Sequence, residues 1–240
     1  MTPALRIGVL APAALDSNGD AANARVLAAR ARWAGLQADV VALAEVDDFA
    51  VRPDVLVAGT GADEDLPAVL ELLRTVRERL LGWVAEGTEV VAVGAGWELL
   101  AESFTTGADV IEGVGVFPGR SVRAERVTGD LIVESALGTL IGFENHVRRF
   151  EGIPREQALG RVLHGVGDGG VEGYLSGGLL GTHLHGPVLA KNPALADAVL
   201  ARATQRLGLD YATTDERLRA ADETARAARE VIAKRLGVVR

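Results

Sequence analysis

The chain has 240 residues and a formal net charge of −8, and hydrophobic residues make up 48% of it while aromatic residues make up only 4%. It has no run of basic residues of the kind that neutralises nucleic-acid phosphates, and no segment reaches the ~18 consecutive apolar residues of a membrane-spanning helix. It also contains no cysteine, which excludes disulfides and all thiol chemistry and is the composition expected of a cytoplasmic protein.

The first half of the sequence alternates short apolar runs with helical segments. It predicts strands at Leu5–Leu10, Ala38–Leu43, 53–58 and Glu89–Val93. Helices are predicted from an N-cap at Asp20 to about residue 33, from residue 65 through 84, and from about residue 96 to 104. This alternation predicts a parallel sheet with right-handed crossovers, and the mostly apolar strands indicate that both faces are covered.

The pattern changes near residue 113, where short strands are predicted at 114–117, 121–127, 131–134 and 139–143 between Gly, Asp and Pro turns. Further strands are predicted at Gly160–His164 and 180–185, followed by helices at 193–207 and 214–236. The sequence therefore predicts an α/β fold, a mostly parallel sheet flanked by helices with an added antiparallel layer. It also predicts a single domain over residues 1–240, with the C-terminal helix packing on it or extending from it.

Three stretches carry a resemblance to a known family: residues 126–130 (RVTGD), 142–146 (GFENH) and 181–187 (GTHLHGP). In this order and spacing they resemble the CobB/CobQ branch of class I glutamine amidotransferases. Within that branch they are most similar to GatD, a group of glutaminase subunits that act with a Mur-ligase-like (MurT-type) subunit in amidating a peptidoglycan precursor. The resemblance implies a flavodoxin-like class I glutamine amidotransferase fold, a Mur-ligase-like partner and no cofactor.

The chain departs from this family at the nucleophile. After the fourth predicted strand the family has Cys-Gly-Gly-aromatic-Gln, whereas residues 94–98 here read GAGWE. The resemblance therefore places Gly94 at the position of the catalytic cysteine and Glu98 at that of a substrate-side glutamine. Gly59 and Gly61 correspond to a glycine-rich oxyanion loop. Glutamine hydrolysis in this fold needs a thiolate at a strand-to-helix turn, and glycine adopts such a backbone but offers no side chain.

Other residues of the expected site are retained. His185 matches the family's catalytic histidine, and Arg126 matches an arginine that contacts glutamine in the family. Glu98 is expected to repel the carboxylate of glutamine, although it would accept its ammonium group. No Ser or Thr lies within residues 94–98 to replace the thiol, and Ser103 and Thr60 are poor candidates because they lie further away.

The sequence leaves three hypotheses open. The leading one is a GatD-like subunit that has lost glutaminase activity and is a structural or regulatory partner of a Mur-ligase-like amidating enzyme in peptidoglycan precursor modification. The second is a small-ligand binding or sensing module that reuses the glutamine pocket through Glu98, Arg126 and His185. The third is a metal-assisted enzyme in which His183 and His185, projecting to the same face of a strand, bind a metal together with His146; no metal site is the main expectation.

Overall fold

The computed structural model describes residues 4–238. The strands, in chain order, are β1 (Leu5–Leu10), β2 (Ala38–Leu43), β3 (Val55–Ala58), β4 (Glu89–Val93), β5 (Ser103–Thr106), β6 (Asp109–Glu112), β7 (Arg120–Ser135), β8 (Gly138–Glu151), β9 (Gly160–His164), β10 (Val171–Glu172), β11 (Tyr174–Ser176) and β12 (Leu179–Thr182). The helices are α1 (Ala22–Trp33), α2 (Leu66–Thr75), α3 (Arg77–Ala85), α4 (Ala95–Leu100), α5 (Val188–Lys191), α6 (Pro193–Arg206) and α7 (Glu216–Arg235).

The central sheet has six strands in the order β11-β12-β4-β3-β1-β2, and all of its pairings are parallel except that of β11 with β12. Alternate residues of each strand enter different cores. Val55 and Val57 pack in the cluster that includes α1 and α6, whereas Leu56 and Ala58 pack with α2, α3 and α4. The predicted parallel sheet covered on both faces is confirmed. Because parallel strands end at the same edge, the loops after β3, β4 and β12 meet there.

The antiparallel layer is a second sheet built around the long strands β7 and β8, with the order β10-β9-β7-β5-β6 and β8 paired to β7. The predicted strands at 121–127 and 131–134 form one strand, because Thr128, Gly129 and Asp130 between them pair with β8 without a break; the register of this pairing shifts between Arg123 and Val127. The predicted strand at 114–117 is wrong. Its backbone N–H groups instead donate to the carbonyls of Leu99, Leu100 and Ala101 at the end of α4.

Several predicted boundaries are also wrong. The helix expected from 65 to 84 is two helices separated at Val76, whose φ of −105° and ψ of 9° interrupt the helical backbone. The helix expected to reach residue 104 ends at Leu100, and the chain enters β5 at Ser103. The last strand of the central sheet ends at Thr182, three residues before its predicted end.

The C-terminal helix α7 is tied to the body of the protein through a buried arginine. Arg30 of α1 is 3% exposed and forms a bidentate pair with Asp197 of α6, with both N···O distances at 2.8 Å. Its third nitrogen donates to Asp222 of α7 at 2.7 Å. This contact supports the expectation that the helix packs on the domain. The single-domain prediction for residues 1–240 includes residues 1–3 and 239–240, which lie outside the described part, and it stays a prediction.

Within residues 4–238, no helix is both long and apolar enough to cross a membrane.

Candidate functional site

Gly94 lies at a sharp turn between β4 and α4, at the edge of the sheet where the parallel strands end. Its φ of 55° and ψ of −122° fall in a region that residues with a side chain adopt only under strain. The turn is fixed on both sides, since the Gly94 N–H donates to the Thr182 carbonyl and the N–H groups of Trp97 and Glu98 donate to the Gly94 carbonyl. The backbone therefore has the strained strand-to-helix turn of a nucleophile elbow, without a nucleophile on it.

The space above Gly94 is filled by Thr60 and His185. A Cβ atom built on Gly94 would lie 2.4 Å from Thr60 Oγ1 and 2.7 Å from His185 Cε1, both closer than real Cβ contacts allow. Thr60 Oγ1 also accepts a hydrogen bond of 2.8 Å from the backbone N–H of Ala95. In a nucleophile elbow this N–H, on the residue after the nucleophile, is an oxyanion donor. Thr60 thus fills volume that the missing side chain would need. It also engages an N–H group that catalysis would need as an oxyanion donor.

Gly59 and Gly61, which flank Thr60, are held by close backbone packing. A Cβ on Gly59 would lie 2.2 Å from the Leu15 carbonyl oxygen, and one on Gly61 would lie 2.3 Å from that of Ala14. The loop after β3 therefore tolerates side chains poorly at both positions, and Thr60 between them is the residue whose side chain reaches the elbow.

His185 is oriented by Asp20, a residue for which the sequence predicted another role. Asp20 does not cap α1, whose N-cap is Ala21 without a side-chain hydrogen bond. Instead, His185 Nδ1 lies 2.8 Å from Asp20 Oδ2, and both side chains are buried. The carboxylate fixes the imidazole so that its other nitrogen, Nε2, points away from Asp20. Nε2 is buried and has no hydrogen-bond partner among residues 4–238, so an oriented histidine faces an elbow that has no thiol.

Glu98 does not present a free negative charge to the site, contrary to the expected repulsion of glutamine. It is 2% exposed, and its carboxylate lies 3.1 Å from Nη1 of the buried Arg148. The same guanidinium donates to Asp63 at 2.6 Å, and Ser121 donates to the other oxygen of Glu98 at 3.2 Å. Burial raises the pKa of the Glu98 carboxyl, and Arg148 opposes that shift. Glu98 belongs to an internal ion-pair network.

A cavity of about 330 Å³ opens beside the elbow. Four of the six residues predicted for the site line it, namely Gly61, Gly94, Glu98 and Arg126, whereas His185 and Gly59 do not. Arg126 is exposed, lies at the register shift of β7 and donates to the Asn145 side-chain oxygen at 2.7 Å.

The predicted histidine pair does not form. His183 and His185 follow the end of β12, and their side chains make different contacts. His185 bonds to Asp20, whereas the ring of His183 stacks on that of His146 with 4.1 Å between ring centroids. In the part of the chain that the structure describes, no three His, Asp or Glu side chains are arranged to hold a metal ion. The metal-assisted hypothesis therefore has no geometric support.

Three residues of this site were missed by sequence reasoning: Asp20, Asn145 and Arg148. A signal for Arg148 was present, because Glu144, His146 and Arg148 alternate along β8 and share one face. That face was not recognised as buried because alternating polar residues usually mark the solvent side of a strand. All three alternating residues are in fact buried.

The sequence profile of the CobB/CobQ-like glutamine amidotransferase domain matches residues 6–193. The chain belongs to this family. It is 29% identical over 204 residues to the GatD subunit of the glutamine-hydrolysing lipid II isoglutaminyl synthase of Staphylococcus aureus (strain N315), covering 82% of this chain and 83% of that one. The corresponding subunit of Streptococcus pneumoniae (strain ATCC BAA-255 / R6) is 26% identical over 201 residues, covering 80% and 77%.

Solved structures of the same class share the fold of this CobB/CobQ-like chain. A glutamine amidotransferase superposes with a TM-score of 0.57 at 21% identity, covering 82% of this chain and 98% of the other. PurLQS from Thermotoga maritima superposes with a TM-score of 0.53 at 17% identity, covering 86% and 97%. The predicted class I glutamine amidotransferase fold is confirmed.

The family-matched region also contains a buried cluster of acids and histidines behind the elbow. Glu172 is fully buried and accepts hydrogen bonds of 2.7 Å from the Thr182 hydroxyl and the His183 N–H. Burial raises the pKa of Glu172 to about 8, with a further increase from the nearby Asp168. Burial likewise raises the pKa of Asp168 to about 6. Burial lowers the pKa of His183, whereas His146, despite its burial, has its pKa raised by the hydrogen bond to Glu144.

This cluster predicts that Glu172→Gln flattens the dependence of stability on pH. The folded state holds the Glu172 proton more tightly than the unfolded chain, so the stability it contributes is complete below pH ~4.5 and is lost as the pH rises to about 8. Gln cannot lose a proton and keeps the acceptor for Thr182. Thermal unfolding from pH 5 to 8 should show the wild type losing stability faster than the variant, by up to ~1.4 kcal/mol per pH unit.

The control for this experiment is Glu125→Gln, which changes an exposed acid on β7. Its profile should run parallel to that of the wild type. Parallel profiles for Glu172→Gln as well would show that Glu172 does not retain its proton in the folded protein.

Proposed function

We propose that this chain is a GatD-like subunit of a lipid II isoglutaminyl synthase type of complex, and that its glutamine-hydrolysing centre is inactive. In this role it serves a Mur-ligase-like amidating subunit as a structural or regulatory partner. The family match and the similarity over most of the length of two GatD subunits support the subunit role.

One observation carries the proposed inactivity. The elbow backbone is intact at Gly94, yet Thr60 Oγ1 lies 2.4 Å from the position of the nucleophile's Cβ and accepts a hydrogen bond from the N–H of Ala95. Acyl transfer from an amide needs a nucleophile activated by a base and free donors for the oxyanion. Here the base remains as His185 with Asp20, while the nucleophile is absent and one donor is occupied.

A chain that has lost the catalytic thiol can keep its fold, because the fold does not depend on the catalytic side chain. The Gly94 turn is held by hydrogen bonds to Thr182, Trp97 and Glu98, none of which involves a side chain at position 94. Glu98 and Arg148 satisfy each other inside the fold. Loss of the thiol therefore leaves the packing and any docking surface in place.

The test measures ammonia release from glutamine by the purified protein, alone and co-expressed with the Mur-ligase-like protein of the same organism. We expect no glutamine-dependent release in either case, and a stable complex with the Mur-ligase-like protein in size-exclusion chromatography. The GatD subunit from Staphylococcus aureus, whose name states glutamine hydrolysis, is the positive control. Turnover that disappears in His185→Ala would contradict the proposed inactivity, and the absence of a complex would contradict the subunit role.

A further inference from the structure

An apolar groove lies between helix α2 and the β5–β6 hairpin. Leu66 and Leu70, one helical turn apart, form one wall, while Phe104, Thr106 and Ile111 form the other. Its volume is about 190 Å³. This is below the roughly 300–1,000 Å³ of pockets that hold metabolites, so the groove has the size for a large apolar side chain of another protein.

The hairpin register explains why these residues share one face. Phe104 pairs with Ile111, and Thr106 pairs with Asp109. Residues directly opposite each other in a sheet project to the same side, as do residues two apart in one strand. Asp109 therefore lies on the groove side of the hairpin, beside Ile111 and Thr106.

The rim of the groove is acidic and partly uncompensated. Asp63 is paired with Arg148 and Glu71 with Arg74. In contrast, Glu64 and Asp65, which stand in the chain between the groove residues Asp63 and Leu66, and Asp109, which the register places on the groove side of the hairpin, are exposed and form no ion pair within residues 4–238. Acidic residues around an apolar centre match a partner segment with an apolar anchor between basic residues, the arrangement of an interface core and rim.

The groove adjoins the elbow cavity, because Asp63 lines both spaces. A partner seated in the groove would therefore lie next to the opening that leads to Thr60 and Gly94. This position connects the docking surface to the site that defines the family.

We propose that the groove binds a basic segment of the Mur-ligase-like partner subunit, which inserts one large apolar side chain between α2 and the β5–β6 hairpin. This inference rests on the proposed function, since it takes the occupant from the proposed complex. The buried apolar anchor supplies most of the binding energy, and the acidic rim sets orientation and association rate.

The experiment measures the Kd between the full-length chain and the purified Mur-ligase-like protein of the same organism by isothermal titration calorimetry. Thr106→Arg places a long cation over the groove, and Asp109→Lys reverses a rim charge. Both should raise the Kd by about tenfold or more.

The matched controls are Thr139→Arg on β8 and Asp39→Lys on β2, both at exposed strand positions away from the groove. The Kd of each control variant should stay within about twofold of the wild-type value.

Two further readouts separate the outcomes. Thermal unfolding confirms that each variant is folded, and a salt titration should show a weaker salt dependence for Asp109→Lys than for the wild type, because screening acts on the rim charges. If the wild type binds and both groove variants bind with the same Kd, the proposed groove is wrong but the subunit role stands. A wild type that does not bind the Mur-ligase-like protein at all would overturn the subunit role and the groove with it.

Discussion

Gly94→Cys alone is expected to leave the protein without measurable glutaminase activity, whereas Gly94→Cys combined with Thr60→Gly should release ammonia from glutamine. In the single variant the new Cβ meets Thr60 Oγ1 at 2.4 Å, so the cysteine is displaced or the loop after β3 moves. The Ala95 N–H also remains bonded to Thr60. Removing the threonine side chain removes the closer of the two contacts and frees that donor, so that only His185 Cε1, 2.7 Å from the new Cβ, still has to move.

The expected difference between the two variants is large. One oxyanion donor alone accounts for about 10²–10³-fold in kcat, and correct placement of the thiol beside His185 adds to it. The ammonia assay should therefore place the double variant at least about 10²-fold above the single variant. Thr60→Gly without the cysteine is the control and should be inactive, and His185→Ala added to the double variant should abolish turnover. Measurable activity in the single variant equal to that in the double variant would show that Thr60 does not obstruct the elbow, and an inactive double variant would contradict the prediction that Thr60 is the main obstruction.

Arg30→Ala is expected to destabilise the protein more than any exposed charge substitution. Arg30 is 3% exposed and joins α1 to Asp197 of α6 and Asp222 of α7 through three hydrogen bonds. Removing one partner of a buried pair costs about 3–5 kcal/mol. We expect the lower end of that range, since Asp197 and Asp222 are partly exposed and regain water. Thermal unfolding should show a Tm lower by roughly 6–12 °C.

The matched control is Arg226→Ala on α7. Arg226 forms ion pairs with Glu223 and Glu230, but its side chain is 53% exposed. Such surface pairs contribute about 0–1 kcal/mol, so the Tm should change by no more than about 3 °C. A similar loss of stability in both variants would mean that burial of Arg30 is not what fixes α7 against α1.

The parallel strands β1 to β4 were predicted closely because their apolar runs are bounded by Gly, Pro and polar residues, whereas β11 at the edge of the central sheet was not predicted and β12 ends three residues before its predicted end. The antiparallel layer was predicted poorly. β7 carries Thr128, Gly129 and Asp130 in its middle, and this polar, glycine-containing segment resembles a turn in sequence although it pairs with β8. β5 and β6 were missed because the polar sequence of the hairpin has no strong alternation. Their pairing depends on β7, which lies further along the chain.

The sequence by itself determined the family fold and the loss of the thiol, since both follow from local patterns and from the absence of cysteine. The family resemblance in the sequence also implied that Gly94 stands at the nucleophile position and that His185 matches the catalytic histidine. Only the tertiary structure decided which groups contact the site residues. Thr60 bonds to the N–H of Ala95, Arg148 pairs with Glu98, and Asp20 bonds to His185. These pairs are 35, 50 and 165 residues apart. Packing alone brings such partners together, and no periodicity within a strand or helix encodes their contact.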